Sequence, residues 1–218
     1  MKKHLATFIA MAVMSLFPFV SCEKADPDNQ ETENQENTDN GQQPEGNTDS
    51  GKILIAYYSY TGHCGEIVTA LSSNLKADVL RIREVDENAD YNANGYKLGS
   101  DMISAINKSP AQASSYPAIK NVDKKAEDYD TIIIVTPLWH SRMAAIMQTY
   151  LFQNGGKMKG KNIGLVVSSA SSGISGVESD AKRLLPDVKF YGSSLWINNS
   201  NRSNRQNLVK EWLAHVSK

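Results

Sequence analysis

Ile53-Leu54-Ile55-Ala56-Tyr57-Tyr58 runs without a break into Ser59-Tyr60-Thr61-Gly62-His63-Cys64, and an amphipathic stretch follows at once. An apolar strand that ends in a hydroxyl-rich, glycine-containing turn and then opens a helix is a phosphate-binding geometry. Ser59 and Thr61 offer hydroxyl donors. Gly62 lets the backbone turn tightly and approach a ligand. The first N–H groups of a helix have no partner within it and point at the same spot, where the helix dipole adds partial positive charge. The loop holds no Lys or Arg. A phosphate there is expected to rest mainly on hydroxyls and backbone amides.

Outward from this turn, apolar runs alternate with helical patterns. Asp78–Arg83 reads as a strand, Thr131–Val135 as the strongest strand, and Asn162–Val167 as another buried one. A weaker strand lies between Val188 and Ile197. Helical spacing marks Ile67, Leu71 and Leu75; then Leu98, Met102 and Ile106, from near Tyr91; then Met143, Met147 and Leu151; then Val177, Ala181 and Leu184, ended by Pro186; and last Leu208, Val209, Trp212, Leu213 and Val216. Ser109–Lys120, with Pro110 and Pro117, reads as a loop. Strict alternation implies parallel strands joined by right-handed crossovers, and unbroken apolar strands are covered on both faces. The expectation is an α/β fold, a three-layer doubly wound five-stranded parallel sheet over residues 52–218.

The first 50 residues have a different character. Lys2 and Lys3 precede an apolar run, Leu5–Val20, that is shorter than the roughly 20 residues of a membrane span. Phe19-Val20-Ser21-Cys22 resembles a bacterial lipoprotein box. Residues 1–21 are therefore read as a lipoprotein signal peptide, with lipidation at Cys22 and a cell-envelope location, periplasmic or outer-membrane; an ordinary signal peptide is the alternative. Between Glu23 and Ser50 nine acids face one base, Lys24. So polar a stretch cannot offset its ordering entropy, and residues 22–51 are expected to be a disordered acidic tether. With Cys22 acylated, Cys64 has no disulfide partner, and stability rests on packing.

Three loops leave the carboxyl ends of the central strands, where ligands of such sheets bind. They are Ser59–Cys64, Thr136–Met143 (which includes Pro137, Leu138, Trp139 and His140) and Ser168–Gly173 (which includes Ser169 and Ser171). Together they offer phosphate donors, a large aromatic face and small polar residues, which suits a ligand with one phosphate and one flat ring system. Trp139 is either a ring contact or a cap on the sheet edge. Cys64 either fills a turn position or is a thiol activated by the helix start. His140 either tunes the ring or is solvated, and Arg142 either reaches an anionic ligand or is solvated.

Other chemistries find no support. No Gly-x-Gly-x-x-Gly follows the first strand, and there is no Gly-Lys-Ser/Thr. A cysteine-phosphatase loop needs Arg where Ala70 stands. No His, Cys and carboxylate cluster has metal spacing, nothing suggests a nucleophilic triad, and no basic stripe interleaved with aromatics points to nucleic acid.

Tyr58-Ser59-Tyr60-Thr61-Gly62, Asp128-Tyr129-Asp130-Thr131 leading to Thr136-Pro137-Leu138-Trp139, and the Ser/Gly loop at 168–173 resemble the flavodoxin-like family, in its branch without an interruption of the last strand. The resemblance spans nearly all of residues 52–218. It implies strand order 2-1-3-4-5 and noncovalent FMN. The first loop, Ser59 to Cys64, would hold the phosphate. Pro137, Leu138, Trp139, His140, Ser169, Ser171 and Gly173 would flank the ring. Where the family has Asn-Thr after the glycine, this chain has His63-Cys64. The function implied is electron transfer with a redox partner protein or a small-molecule oxidant, from an anchor in the membrane. The alternatives are a flavin-dependent reductase of a quinone or similar oxidant, and a flavin-free binding module.

Overall fold

The computed structural model describes residues 51–216. The leader and all of the tether but Gly51 lie outside the described residues. Within them, β1 is Ile53–Tyr57, α1 His63–Ser72, β2 Asp78–Arg81, α2 Ala93–Lys108, β3 Thr131–Trp139 and β4 Arg142–Met143. They are followed by α3 Ala145–Asn154, β5 Asn162–Ser168, α4 Ser175–Leu184, β6 Lys189–Phe190, β7 Leu195–Ile197 and α5 Arg205–Val216. The sheet order is β2-β1-β3-β5-β6, with β7 also on β5 and β4 on β3. All pairs are parallel except the β3–β4 hairpin. Counted by crossovers this is the 2-1-3-4-5 order.

Alternate residues of each central strand face opposite layers. Leu54, Ala56, Ile132, Ile134, Ile163, Leu165 and Val167 pack with Ile146, Met147 and Tyr150 of α3 and Val177 and Ala181 of α4. Ile55, Ile133, Val135 and Val166 pack with Ile67 and Leu71 of α1 and Val209 and Trp212 of α5. Each such side chain gains roughly 1.5–3 kcal/mol from burial, which is why the strands carry no polar alternation. Helix α2 joins α3 through Ile103, Ile106, Tyr116 and Ala145.

Two features depart from the sequence reading. The last strand is interrupted: β6 pairs with Asn162 and Ile163, β7 with Val166 to Ser168, and after Tyr191, whose N–H still donates to the Ile163 carbonyl at 2.9 Å, residues 192–194 leave the ladder. Gly192 there has φ +31°, and Trp212 donates from Nε1 to the Ser193 carbonyl at 2.9 Å, so the break is pinned. The second departure is the segment after Val135. It does not become a loop at Thr136; β3 continues through Pro137 to Trp139 and turns back into β4. At Pro137 the missing N–H costs no ladder bond to β4, because Pro137 contributes its carbonyl to the Ala144 N–H at 3.1 Å.

Gly164 of β5 makes room for α5. A Cβ there would lie 2.7 Å from Trp212 Cη2 and 3.2 Å from Cζ2. Because that indole is tied to Ser193, it cannot swing away. Gly164→Ala is expected to lower stability by about 1–3 kcal/mol, read from urea unfolding.

Candidate functional site

The register sets β1, β3 and β5 level at their carboxyl ends, with Tyr57 opposite Val135 and Pro137 opposite Ser168. All three sequence-predicted loops therefore open on one edge. Gly62 caps α1 with φ 90° and ψ −20°, a left-handed conformation that suits glycine, and nothing lies within 4 Å of where its Cβ would be. The Gly65 N–H donates to Ser59 Oγ at 3.4 Å, and the Glu66 N–H to the Gly62 carbonyl at 3.1 Å. The amides of Thr61, Gly62, His63 and Cys64 have no acceptor among the described residues. Ser59 is buried and accepts from Gly65, so its own hydroxyl proton remains to donate; Thr61 is exposed. This donor set, open in front, fits a phosphate monoester; the carboxylate on the first turn of α1, Glu66, is held by Arg202 and Arg205.

Cys64 contributes its amide to this edge but not its thiol. The side chain is 1% exposed and packs with the α1 and α5 side of the core. Burial pushes the thiol pKa up, and a hydrogen bond with Ser168 offsets only part of that. An activated thiol is thus replaced by a small core residue.

The second loop is a strained hairpin. His140 and Ser141 have φ 47° and 62°, so the turn is the two-residue type with both central residues left-handed, which usually calls for Asn-Gly. Each non-glycine residue there costs about 1–2 kcal/mol. The fixing comes from α4. Asp180, wholly buried, accepts from Arg142 Nη2 at 2.5 Å, from the Met143 N–H at 3.1 Å and from Arg183 Nη2 at 3.1 Å. Arg183 also holds Gln148 Oε1 and the Tyr116 hydroxyl. Gly176 lets α4 touch the turn, since a Cβ there would lie 1.9 Å from the Ser141 carbonyl oxygen. Arg142 is therefore a structural ion pair rather than an anion ligand.

Trp139 caps no sheet edge. It lies edge-on to Tyr58 at 5.5 Å and tilted against Tyr91 at 4.6 Å; Tyr91 in turn meets Tyr60 edge-on at 5.0 Å. Gly99 of α2 backs the indole and the His140 ring. Tyr58 donates to Glu84 Oε1 at 3.2 Å. Burial first, then the Glu84 charge, pushes the Tyr91 hydroxyl up to about 12. Tyr91 lies just before α2, and Asn94, Gly95 and Tyr96 at the start of α2 have left-handed backbone. Sequence periodicity offered only a helix start there.

In the third loop Ser169 is fully used internally. Its N–H donates to Ile197 O at 3.0 Å, its Oγ donates to Ser172 O at 2.9 Å, and it accepts from Trp196 Nε1 at 2.8 Å. Ser169 shapes the loop, while Ser171 and Gly173 stand exposed on it. Cations absent from the first loop arrive from elsewhere. Arg81 Nη2 donates to Ser59 O at 3.4 Å, and Arg202 and Arg205 pair with Glu66. Among the described residues no cluster of His, Cys, Asp and Glu has metal-binding geometry, and no helix is long and apolar enough to cross a membrane.

A doubly wound sheet with an amide-lined turn after β1 and aromatic faces after β3 defines the flavodoxin class. The flavodoxin family model matches residues 52–216, and the chain belongs to that family. It is 31% identical over 138 residues to NAD(P)H dehydrogenase (quinone) 3 of Rhizobium meliloti (strain 1021), across 59% of this chain and 57% of that protein. The match thus spans little more than half the length of that relative. The fold is similar to a flavoprotein in complex with FMN from Lactobacillus acidophilus NCFM, with TM-score 0.56 and 20% identity over 71% of this chain and 97% of that one. It is also similar to a protein provisionally assigned as a flavoprotein from Bacteroides eggerthii DSM 20697, with TM-score 0.58 and 23% identity over 77% and 99%.

Two outcomes follow from this geometry. Asp180→Ala leaves Arg142 and Arg183 without their carboxylate; since both side chains are 30% exposed, the loss should be about 3 kcal/mol in urea unfolding. Cys64 should resist alkylation in the native protein at mildly alkaline pH and react once urea unfolds it, as read by peptide mass mapping.

Proposed function

We propose that this chain binds FMN noncovalently at the carboxyl edge of β1, β3 and β5 and serves as an electron-transfer protein. The observation that carries the reading is the row of four amides, Thr61 to Cys64, without acceptors among the described residues, around a left-handed Gly62 with open space in front. Those amides, with the Ser59 and Thr61 hydroxyls, hold the phosphate. Trp139, fixed by the hairpin and by Tyr58 and Tyr91, supplies the apolar face for the ring. Pro137, Leu138 and His140 border it, and the 169–173 loop closes the other side. FMN when bound supplies one- or two-electron chemistry; the protein supplies binding, orientation and electrostatics.

The electron acceptor is a redox partner protein or a small oxidant. The likeness to a quinone dehydrogenase supports a quinone-type oxidant as the second reading. The Ser21-Cys22 junction supports a form held in the cell envelope by lipid on Cys22, with the acidic stretch as tether.

Losing one hydrogen bond to a charged group costs about 1.5–3 kcal/mol. Thr61→Ala should therefore weaken FMN about ten- to a hundred-fold and leave riboflavin, which lacks the phosphate, nearly unchanged. Fluorescence titration of the flavin-free protein measures both. Trp139→Ala should weaken FMN and riboflavin alike. Binding of neither flavin by the unaltered protein would assign it to the flavin-free modules.

A further inference from the structure

The break in the outer strand leaves a buried backbone donor without its partner. On this free edge of the sheet the Ile163 carbonyl accepts from the Tyr191 N–H at 2.9 Å, and the Ser169 N–H donates to the Ile197 carbonyl at 3.0 Å. Alternate residues of β5 therefore turn their backbone groups to the edge, and Leu165 is one of them. A continuous strand would offer the Leu165 N–H a carbonyl. Residues 192–194 have left the ladder, and this N–H finds no acceptor in residues 191–194. Leu165 is 3% exposed. A buried N–H left so costs about as much as a lost hydrogen bond.

The break is firmly set. The Tyr191 and Thr131 hydroxyls lie 3.0 Å apart and share a hydrogen bond, Trp212 holds the Ser193 carbonyl, and Ser194 Oγ donates to Glu178 Oε1 at 2.8 Å. Between these ties and α4 lies a cavity of about 80 Å3. At roughly 10–15 Å3 for each water-sized group, it has room for about five to eight non-hydrogen atoms. Leu165, Phe190 and Tyr191 give it an apolar lining, and Glu178 and Lys182 of α4 stand in its wall. A Glu four residues before a Lys on one helix ordinarily closes into an ion pair. Here the pair is not made: Glu178 turns to Ser194, and the ion pairs of α4 among the described residues belong to Asp180 and Arg183. The cavity thus holds a negative and a positive group apart. A ligand with only a carboxylate would meet Glu178, and one with only an ammonium would meet Lys182. A molecule carrying both groups matches both.

We propose that this cavity binds a small zwitterion, an α-amino acid of about the size of alanine. Its ammonium pairs with Glu178, its carboxylate with Lys182 and the Leu165 N–H, and its side chain rests on Leu165 and Phe190. The site opens at the free edge of the sheet rather than at the carboxyl ends of the strands. It uses no residue of the FMN reading and is tested apart from it.

The experiment follows the Leu165 amide proton of the full chain by nuclear magnetic resonance during addition of alanine, of propionate, which lacks the ammonium, and of ethylamine, which lacks the carboxylate. Alanine should shift this proton downfield in a saturable way. Propionate and ethylamine should each bind about ten-fold more weakly or worse. Glu178→Gln keeps an acceptor for Ser194 and removes the charge; it should weaken alanine about ten-fold and bring propionate level with it. Lys182→Gln should weaken alanine by a similar factor and bring ethylamine level with it. Both positions lie at the surface of α4, and unchanged urea unfolding confirms that the variants keep the fold. Equal binding of the three probes to the unaltered protein would mark a merely solvated break and overturn the proposal. So would the absence of a saturable shift with alanine, or alanine binding unchanged in either variant.

Discussion

A parallel sheet uses its backbone donors along each strand and leaves the amides beyond the carboxyl end with nothing to pair with. The central strand β3 aligns that end with those of β1 and β5, through Tyr57–Val135 and Pro137–Ser168. The rest of the site hangs on this alignment. Past β1 the chain turns through a left-handed glycine, and four successive N–H groups, Thr61 to Cys64, have no acceptor among the described residues. Past β3 the chain turns back on itself and presents Trp139. The scaffold beneath is apolar on both faces, so the polar demand of the fold is concentrated at this edge.

Stability and function meet at the hairpin. Two left-handed residues without glycine, His140 and Ser141, are held in place by a carboxylate that no solvent reaches, Asp180. The same carboxylate collects two arginines and a backbone N–H, so its charge is matched and its lone pairs are used. Helix α4 therefore works at a distance from any ligand: it sets where Trp139 and His140 stand. Strain that persists because its surroundings over-determine it is common at binding loops, and this turn is a case where the restraining groups can be named.

The strands and the first loop were legible in the sequence because their causes are local. Ile53 to Tyr57, Thr131 to Val135 and Asn162 to Val167 are unbroken apolar runs because both faces are covered, and the hydroxyl–glycine turn carries its chemistry in consecutive residues. The missed parts have remote causes. Thr136–Met143 reads as a loop, and His140-Ser141 has no turn signature, since Asp180 and Gly176 rather than local preference stabilise the hairpin. The last strand looked continuous, but the Ser193 carbonyl is taken by Trp212 from α5. Tyr91 meets Trp139 from just before a left-handed break, Asn94 to Tyr96, that periodicity cannot express. Arg202 meets His63 across 139 residues, so a loop without a cation in sequence has one in space.

The central claim is that the Thr61–Cys64 amides receive a phosphate. Amide proton resonances of the full chain, followed by nuclear magnetic resonance during addition of FMN and separately of riboflavin, test it at those atoms. Hydrogen bonding to a dianion shifts an amide proton strongly downfield. The account predicts such shifts at Thr61, Gly62, His63 and Cys64 with FMN and their absence with riboflavin. The same shifts with both flavins, or FMN binding that leaves these four amides unmoved, would contradict it.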